Sequence, residues 1–457
     1  MLGRLRRVHF IGVGGVGMSG IALLLQNLGF EVSGSDLAES EMTRRLAEAG
    51  VRVSIGHRAE HCLGAEVVVF STAIGSDNPE MVAAREQGVP VIRRAEMLAE
   101  LMRLKFSVAV SGSHGKTTVT SLVGHVLERA GLDPTTVVGG RVLGAGAGAR
   151  LGQSEYLVAE ADESDRSFLV LYPSIAVVTN IEAEHLDFYK NLADIRRTFV
   201  SFVNRVPFYG SVILCTDSPA VRAIRSRVKR RVVSYGLETP ADLTVRDVQE
   251  YAFSSAFTLL VRGRARGRFS VPMPGRHNIQ NALAAVAVAL ELGVEPRVVE
   301  QALLTFAGVH RRLERKGEKG GIEVFDDYGH HPTEVRVTVE ALRHAFPDRR
   351  LVVVFEPHRY SRTRHLGSEF GVAFDAADVV FVTRVYAASE EPLPDADEKV
   401  IVEAVRRDGR EGIELHHLSV IEKLAVDVAR AARPGDVILT LGAGSIWQTG
   451  EQILNAL

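Results

Sequence analysis

Lys116 and Thr117 stand in the stretch "SGSHGKTT", residues 111–118, with the types and spacing of a loop that handles phosphate. A strand-like run, "FSVAVS", leads into it, and Gly112, Ser113, His114 and Gly115 then open the helical pattern "TTVTSLVGHVLERAG". Lys116 is spaced to reach β- and γ-phosphates, and the Thr117 hydroxyl to ligate Mg²⁺. The loop is the shorter G-x-x-G-K-T form, because Val110 stands where the longer pattern carries its first glycine. A bound nucleoside triphosphate is expected.

Transfer of a phosphoryl group also needs hard oxygen ligands for the cation. The run "YLVAEADESD" puts Glu160 at the end of an apolar strand, followed by Asp162, Glu163 and Asp165. Four carboxylates buried so close together would repel one another without a cation; a solvated acidic loop is the bland alternative. His185, in "TNIEAEHLD", also follows a strand, beside Asn180 and Asp187. A lone histidine is usually structural, but this one belongs to a strand end that converges with the loop on one sheet edge.

A second cradle lies nearer the N-terminus. "HFIGVGGVGMSG" runs an apolar strand into a turn whose Gly12, Gly14 and Gly17 have dinucleotide-fingerprint spacing. Asp36, in "GSD", ends the next strand, where an acid accepts a ribose hydroxyl. This pattern fits NAD or any other diphosphate-linked nucleoside, and a tight turn without ligand remains open.

The elements that must position these groups are strands alternating with helices, which implies parallel sheets covered on both faces. Strands are expected at "RVHFIGV", "EVSGSD", "EVVVFS" and "VPVI" in a first unit. A second unit holds "FSVAVS", "YLVA", "SIAVVTN" and "SVILC", then antiparallel strands over 241–272 and the helix "NIQNALAAVAVALELG". In a third, "GIEVFDDY", "RLVVVFEP", "DVVFVT" and "DVILTLG" are strands. The stretch 139–152 is too glycine-rich for a packed element and reads as a loop. Chain length, 457 residues, suits three domains. The net charge of −2 offers no basic field for nucleic acid, so none is expected as a partner. Two cysteines, Cys62 and Cys215, lack metal-ligand spacing and fit a reducing, cytoplasmic compartment. Arg4, Arg6 and Arg7 before an apolar stretch superficially resemble a targeting signal, but glycines interrupt that stretch. No membrane insertion is expected.

Together, "GSHGKTT", "VAEADESD", "TNIEAEHLD", "PGRHNIQNALAA", "GVHRRLE", "DDYGHHPTE" and "PHRYSRT" resemble the Mur ligase family of cell-wall peptide synthesis. The likeness runs through nearly the whole chain in order. It implies an α/β protein of three domains: a Rossmann-like UDP-sugar domain (1–105), a P-loop ATPase-like domain with an antiparallel addition (106–309), and a Rossmann-like amino-acid domain (310–457). The implied reaction joins L-alanine to UDP-N-acetylmuramate at the expense of ATP as co-substrate. The sugar-borne carboxylate is phosphorylated, an amine attacks the acyl phosphate, and phosphate leaves. A ligase that adds a recycled tripeptide to the same sugar shares most motifs and is the alternative. An NAD-dependent dehydrogenase or a non-catalytic nucleotide switch would leave many of these motifs unexplained.

The resemblance also assigns residues. Gly12, Gly14, Gly15, Gly17, Asp36 and Ser71 would hold the UDP-sugar. Gly112, Ser113, His114, Gly115, Lys116, Thr117, Thr118, His277, Asn278, Asn281, Arg312 and Asp327 would bind ATP. Thr117, Glu160 and His185 would hold Mg²⁺ at two sites, with His330 near the reaction centre beside Lys116 and His185. His358, Arg359 and Arg362 would receive the amino-acid carboxylate, which guanidinium forks suit. Three positions depart from the family pattern: Glu356 replaces Gln, Gly148 replaces Asn, and Ser445 replaces an acid. The absence of lysine from 191 to 228 favours the alanine-adding branch, where carbamylated lysine is not expected. A monomer or weak homodimer is expected.

Overall fold

A computed structural model of the chain describes residues 5–71, 73–139, 149–186, 188–388, 390–418 and 421–457. Gly148 and Asp187 therefore lie outside the described residues. Three sheets follow one another along the sequence, so the expected α/β class holds.

The first sheet is five parallel strands in the order Arg52–Ile55, Glu31–Asp36, Arg7–Ile11, Val67–Phe70, Val91–Arg93. Strand order reverses at Arg7–Ile11, whose Val8, Phe10 and Ile11 are buried, as parallel strands covered on both faces require. Gly12, at φ +78°, turns the chain away from that strand, and the N–H groups of Gly12 and Val13 both donate to Ser35 O. The helix Val16–Asn27 follows. In open parallel sheets the crevice at such a reversal is where ligands settle.

The second sheet has ten strands. At its centre Phe106–Ser111 pairs in parallel with Tyr156–Glu160 on one side and Ile175–Val178 on the other. Their carboxyl ends share one edge, which brings Ser111, Glu160 and the segment after Val178 together. Ser211–Cys215 and Arg231–Tyr235 continue the sheet, and Leu243–Tyr251, Ser254–Val261 and Arg264–Val271 complete it with antiparallel pairing. The other edge departs from expectation. Ala149–Arg150, read as loop on glycine content, is a two-residue strand against Thr135–Val137. Arg150 pins it there, donating to Pro134 O and the Asp133 carboxylate.

The helix Lys116–Arg129 begins after Gly115, at φ +81°, and Gly131, at φ +76°, follows its end. Its Val119, Leu122, Val123, Val126 and Leu127 are fully buried. Each such side chain contributes about 1.5–3 kcal/mol relative to exposure. They share a core with the alanine-rich helix Arg276–Glu291, whose small side chains allow close approach.

The third sheet runs Glu314–Lys319, Ile322–Asp327, Val437–Leu441, Leu351–Phe355, Val379–Thr383, Glu414–Leu418, parallel except for the first strand. Its four interior strands are the expected ones. Both edge strands are charged and half-exposed, and carry no apolar run to announce them. The connection into this unit is unusual: Arg311 (φ +58°) and Leu313 (φ +47°) are left-handed on either side of Arg312. Each such conformation costs about 1–2 kcal/mol in a non-glycine residue. Compensating bonds hold both, since Arg311 Nε donates to Asp326 Oδ2 at 3.1 Å and Leu313 N to Asp327 Oδ2 at 2.8 Å.

Candidate active site

The phosphate loop is fixed from the neighbouring strand end. His114 N donates to Asn180 Oδ1 at 2.8 Å, while Thr179 Oγ1 and Asn180 Nδ2 donate to His114 O at 2.6 and 3.1 Å. Gly112 sits at φ +140°, and a Cβ there would come 2.1 Å from Thr179 Oγ1, so only glycine fits. Ser113 Oγ accepts from Glu182 N at 2.9 Å.

Lys116 Nζ donates to Gly112 O at 2.7 Å, Ser113 O at 3.3 Å and Glu163 Oε1 at 2.8 Å. Burial disfavours its charge, but Glu163, Asp162, Glu160 and Glu184 outweigh burial and raise its pKa. Burial pushes Glu163 up to about 7, with Lys116 pulling the other way and Asp162 adding to the rise. Thr117 Oγ1 donates to Glu160 Oε2 at 3.0 Å, so two expected cation ligands, one in the first turn of the helix and one at the neighbouring strand end, meet. His185, left-handed at φ +55°, holds Nε2 3.9 Å from both Glu163 Oε1 and Glu184 Oε1. Ligand atoms of Glu163, Glu184 and His185 lie within 4.8 Å of one another. Hard oxygens with one imidazole suit a cation; burial lowers the His185 pKa and keeps the ring available as a neutral ligand.

Two cavities meet at this loop. One, of about 340 Å³, is lined by His114, Gly115, Thr118, His277, Asn278, Asn281, Arg312 and Asp327, which brings most of the expected ATP residues together. Asn278 Nδ2 donates to Pro274 O, and Asn281 Nδ2 to Asn278 Oδ1, so the helix start at Arg276 orders its own amides. His277 is pushed down to about 4 by burial and by Arg312. Asp327 accepts from Leu313 N and Gly329 N, and burial raises it to about 6 against the pull of Arg312. The other cavity, of about 940 Å³, runs from Gly17, Phe70 and Arg94 past Lys116, Thr117 and Glu160 to His185, His330, His358, Arg359 and Arg362. His114, Gly115, Arg312 and Glu334 line both.

The third unit reaches the same place. His330 Nδ1 lies 3.0 Å from Tyr328 O, and its ring centroid is 5.4 Å from that of His358. Burial and Arg362 push His330 down to about 4. His358 stacks on Tyr386, and its Nδ1 lies 3.0 Å from Arg362 Nη1. Arg362 Nη2 donates to Glu184 Oε1 at 3.1 Å across the seam between the second and third units. Arg359, at φ +70°, lies 3.8 Å from Glu390. Farther along the seam, Thr333 Oγ1 donates to Glu182 Oε2 at 2.9 Å, and His114 Nδ1 lies 3.1 Å from Glu334 Oε1. Burial disfavours the charged His114 ring, yet Glu334 and Glu182 hold its pKa up at about 10.

The glycine turn of the first unit is only partly drawn in. Gly17 lines the large cavity, whereas Gly12, Gly14, Gly15, Asp36 and Ser71 are not among its lining residues. Asp36, expected beside a ribose, spends Oδ2 on Gly14 N at 2.8 Å and Oδ1 on Leu37 N at 2.8 Å. Glu356 is buried against Ser445: Ser445 Oγ and Ile446 N donate to it at 3.0 and 3.1 Å. Two of the three residues expected to depart from the family pattern, Glu356 and Ser445, are thus bonded to each other. Sequence reasoning gave no role to Glu184 and Glu334; only the position of Glu184, immediately before His185, was a signal.

A mononucleotide-type first sheet, a P-loop second sheet and a third α/β unit bonded to the second define a nucleotide-dependent ligase architecture, and the chain belongs to the Mur ligase family. Three family models match in order: "Mur ligase family, catalytic domain" over residues 7–106, "Mur ligase middle domain" over 110–289, and "Mur ligase, glutamate ligase domain" over 311–444. Among similar proteins, the UDP-N-acetylmuramate–L-alanine ligase of Syntrophobacter fumaroxidans is 51% identical, over 100% of this chain and 97% of its own. The ligase of the same name from Sorangium cellulosum is 53% identical over 97% and 95%. Among solved structures, UDP-N-acetylmuramate-alanine ligase from Thermotoga maritima superposes with a TM-score of 0.81, at 28% identity and 98% coverage of both chains. A murein peptide ligase from Psychrobacter arcticus gives 0.72 at 25% identity, covering 99% and 98%.

Proposed function

We propose that this chain joins L-alanine to the lactyl carboxylate of UDP-N-acetylmuramate, splitting ATP to ADP and phosphate through an acyl phosphate. One observation carries the reading: two cavities, one sized and lined for a nucleotide and one reaching the glycine-turn unit, meet at His114, Gly115, Arg312 and Glu334. A carboxyl group brought along the larger cavity can thus meet the terminal phosphate of a nucleotide in the smaller. Relatives about half identical over their full length support alanine over the tripeptide.

The units divide the work as 1–105 for the UDP-sugar, 106–309 for ATP and 310–457 for the amino acid. Lys116 exchanges its loop carbonyls and Glu163 for phosphate oxygens. His277, Asn278 and Asn281 receive the base, and Asp327 the ribose side. Thr117 with Glu160, and His185 with its two neighbouring carboxylates, would hold Mg²⁺, which supplies neutralisation of phosphate charge. Arg362, Arg359 and His358 orient the amino acid by its carboxylate. Burial beside Arg362 keeps His330 and His358 uncharged, so they line the approach of the amine as neutral polar groups that position it. Lys116 and Arg312 stabilise the negative charge that develops at each stage. Among the described residues no helix is long and apolar enough to cross a membrane, and work in a reducing, cytoplasmic compartment suits the two buried free cysteines.

The test is phosphate release with UDP-N-acetylmuramate and ATP, offering L-alanine, glycine, L-serine or tripeptide separately. Stimulation by L-alanine is expected; stimulation by tripeptide alone contradicts the reading.

A further inference from the structure

The parallel strands of the middle sheet have two edges, and the chemistry uses only the carboxyl one. At the amino edge Val108, Ile175, Ser211 and Arg231 lie side by side in register. The loops entering those strands therefore emerge next to one another. They present Leu104, Tyr172, Phe208 and Tyr209 to solvent; Phe208 is 90% exposed and Tyr209 67%. The loops are tied together, not loose. Asn204 Nδ2 donates to Arg227 O at 3.1 Å, Lys229 N to Asn204 Oδ1 at 2.7 Å, and Arg230 Nε to Val206 O at 2.5 Å.

Charge is concentrated at the same place. From Arg196 to Gly236 Asp217 is the single carboxylate against nine arginines and lysines, in a chain of net charge −2. Some of these cations have partners: Arg197 bonds Asp194, Arg231 bonds Glu291, and Arg222 donates to backbone carbonyls. Arg103 and Arg205 lie over the Tyr172 ring at 5.1 and 5.0 Å. Arg225, Arg227 and Lys229 are exposed beside the aromatic tip.

We propose that this edge docks on the surface of an anionic phospholipid bilayer, with Phe208 and Tyr209 at the headgroup level and Arg225, Arg227 and Lys229 against lipid phosphates. Aromatic rings favour that boundary, and basic residues beside it add attraction to anionic lipid. A second copy of this chain fits poorly, because a two-fold contact would set like charge on like. Single-stranded nucleic acid also pairs aromatic rings with cations. However, apolar tips ranged along one sheet edge, Leu104 among them, match a flat apolar boundary better than separate bases. So docked, the substrate cleft on the opposite edge stays in water.

The test mixes the full-length protein with vesicles of phosphatidylcholine alone or with phosphatidylglycerol, and measures the bound fraction. Binding to the phosphatidylglycerol vesicles only, weakening with salt, is expected. Arg225→Ser with Arg227→Ser should weaken it about twenty-five-fold, at about fivefold per cation. Phe208→Ser with Tyr209→Ser should weaken it severalfold, and both variants should keep wild-type phosphate release in vesicle-free solution. Absence of binding at low salt, binding unaffected by either variant, full displacement by a single-stranded RNA, or a dimer in sedimentation that Phe208→Ser dissociates would each overturn the proposal.

Discussion

Lys116 is held by its own loop's carbonyls and by Glu163, so its ammonium is already fixed in the loop that we propose receives phosphate. Lys116→Ala should lower phosphate release by at least about a thousandfold, since charge stabilisation in a water-poor site is a large catalytic contribution. The thermal shift produced by UDP-N-acetylmuramate should persist, which separates a phosphate role from general damage. His277 supplies a second residue-scale prediction. Its folded pKa of about 4 lies below the ordinary 6.5. Between those values the unfolded chain binds more protons, so stability falls as the solution is acidified from about 6.5 and the contribution is gone below about 4. His277→Gln should flatten melting temperature against pH across that window; an unchanged slope would contradict the neutral buried ring. At this scale the sequence was most legible where residue type and local spacing suffice, as in "GSHGKT". Glu184 and Glu334 were not legible as partners, because Arg362 and His114 meet them from 178 and 220 residues away.

The helix Pro332–Ala345 shows how one element does two jobs. Its Glu334 carboxylate accepts from His330 N and His331 N at 3.0 and 3.3 Å, closing the helix start, while its other oxygen faces His114 of the phosphate loop. Glu334→Ala should therefore cost about 1–2 kcal/mol in urea unfolding and raise the KM for ATP; a stability loss with KM unchanged would make the carboxylate a cap alone. Interior strands such as Leu351–Phe355 and Val437–Leu441 could be read directly from their apolar runs. Charged edge strands Glu314–Lys319 and Glu414–Leu418 could not, since pairing with an inner neighbour, not composition, makes them strands. Ala149–Arg150 was misread for the same reason: its strand rests on what Arg150 grips.

The whole molecule is three sheets in series, with Arg362–Glu184, Thr333–Glu182 and His114–Glu334 stitching the second unit to the third. Arg362→Ala should loosen that seam and enlarge the radius of gyration in small-angle scattering, with a saturating ATP analogue restoring part of the difference; identical profiles would assign the pair to local order only. The left-handed pair at Arg311 and Leu313 brackets Arg312, a residue that lines both cavities. That linker is where the chain crosses from the second unit to the third, and the guanidinium is mounted on the crossing itself. Where that guanidinium sits in the two cavities is thus tied to the backbone that joins the units. Leu313 itself lines the smaller cavity, so a small molecule wedged against it would press on the bracketing backbone while taking up room in that pocket.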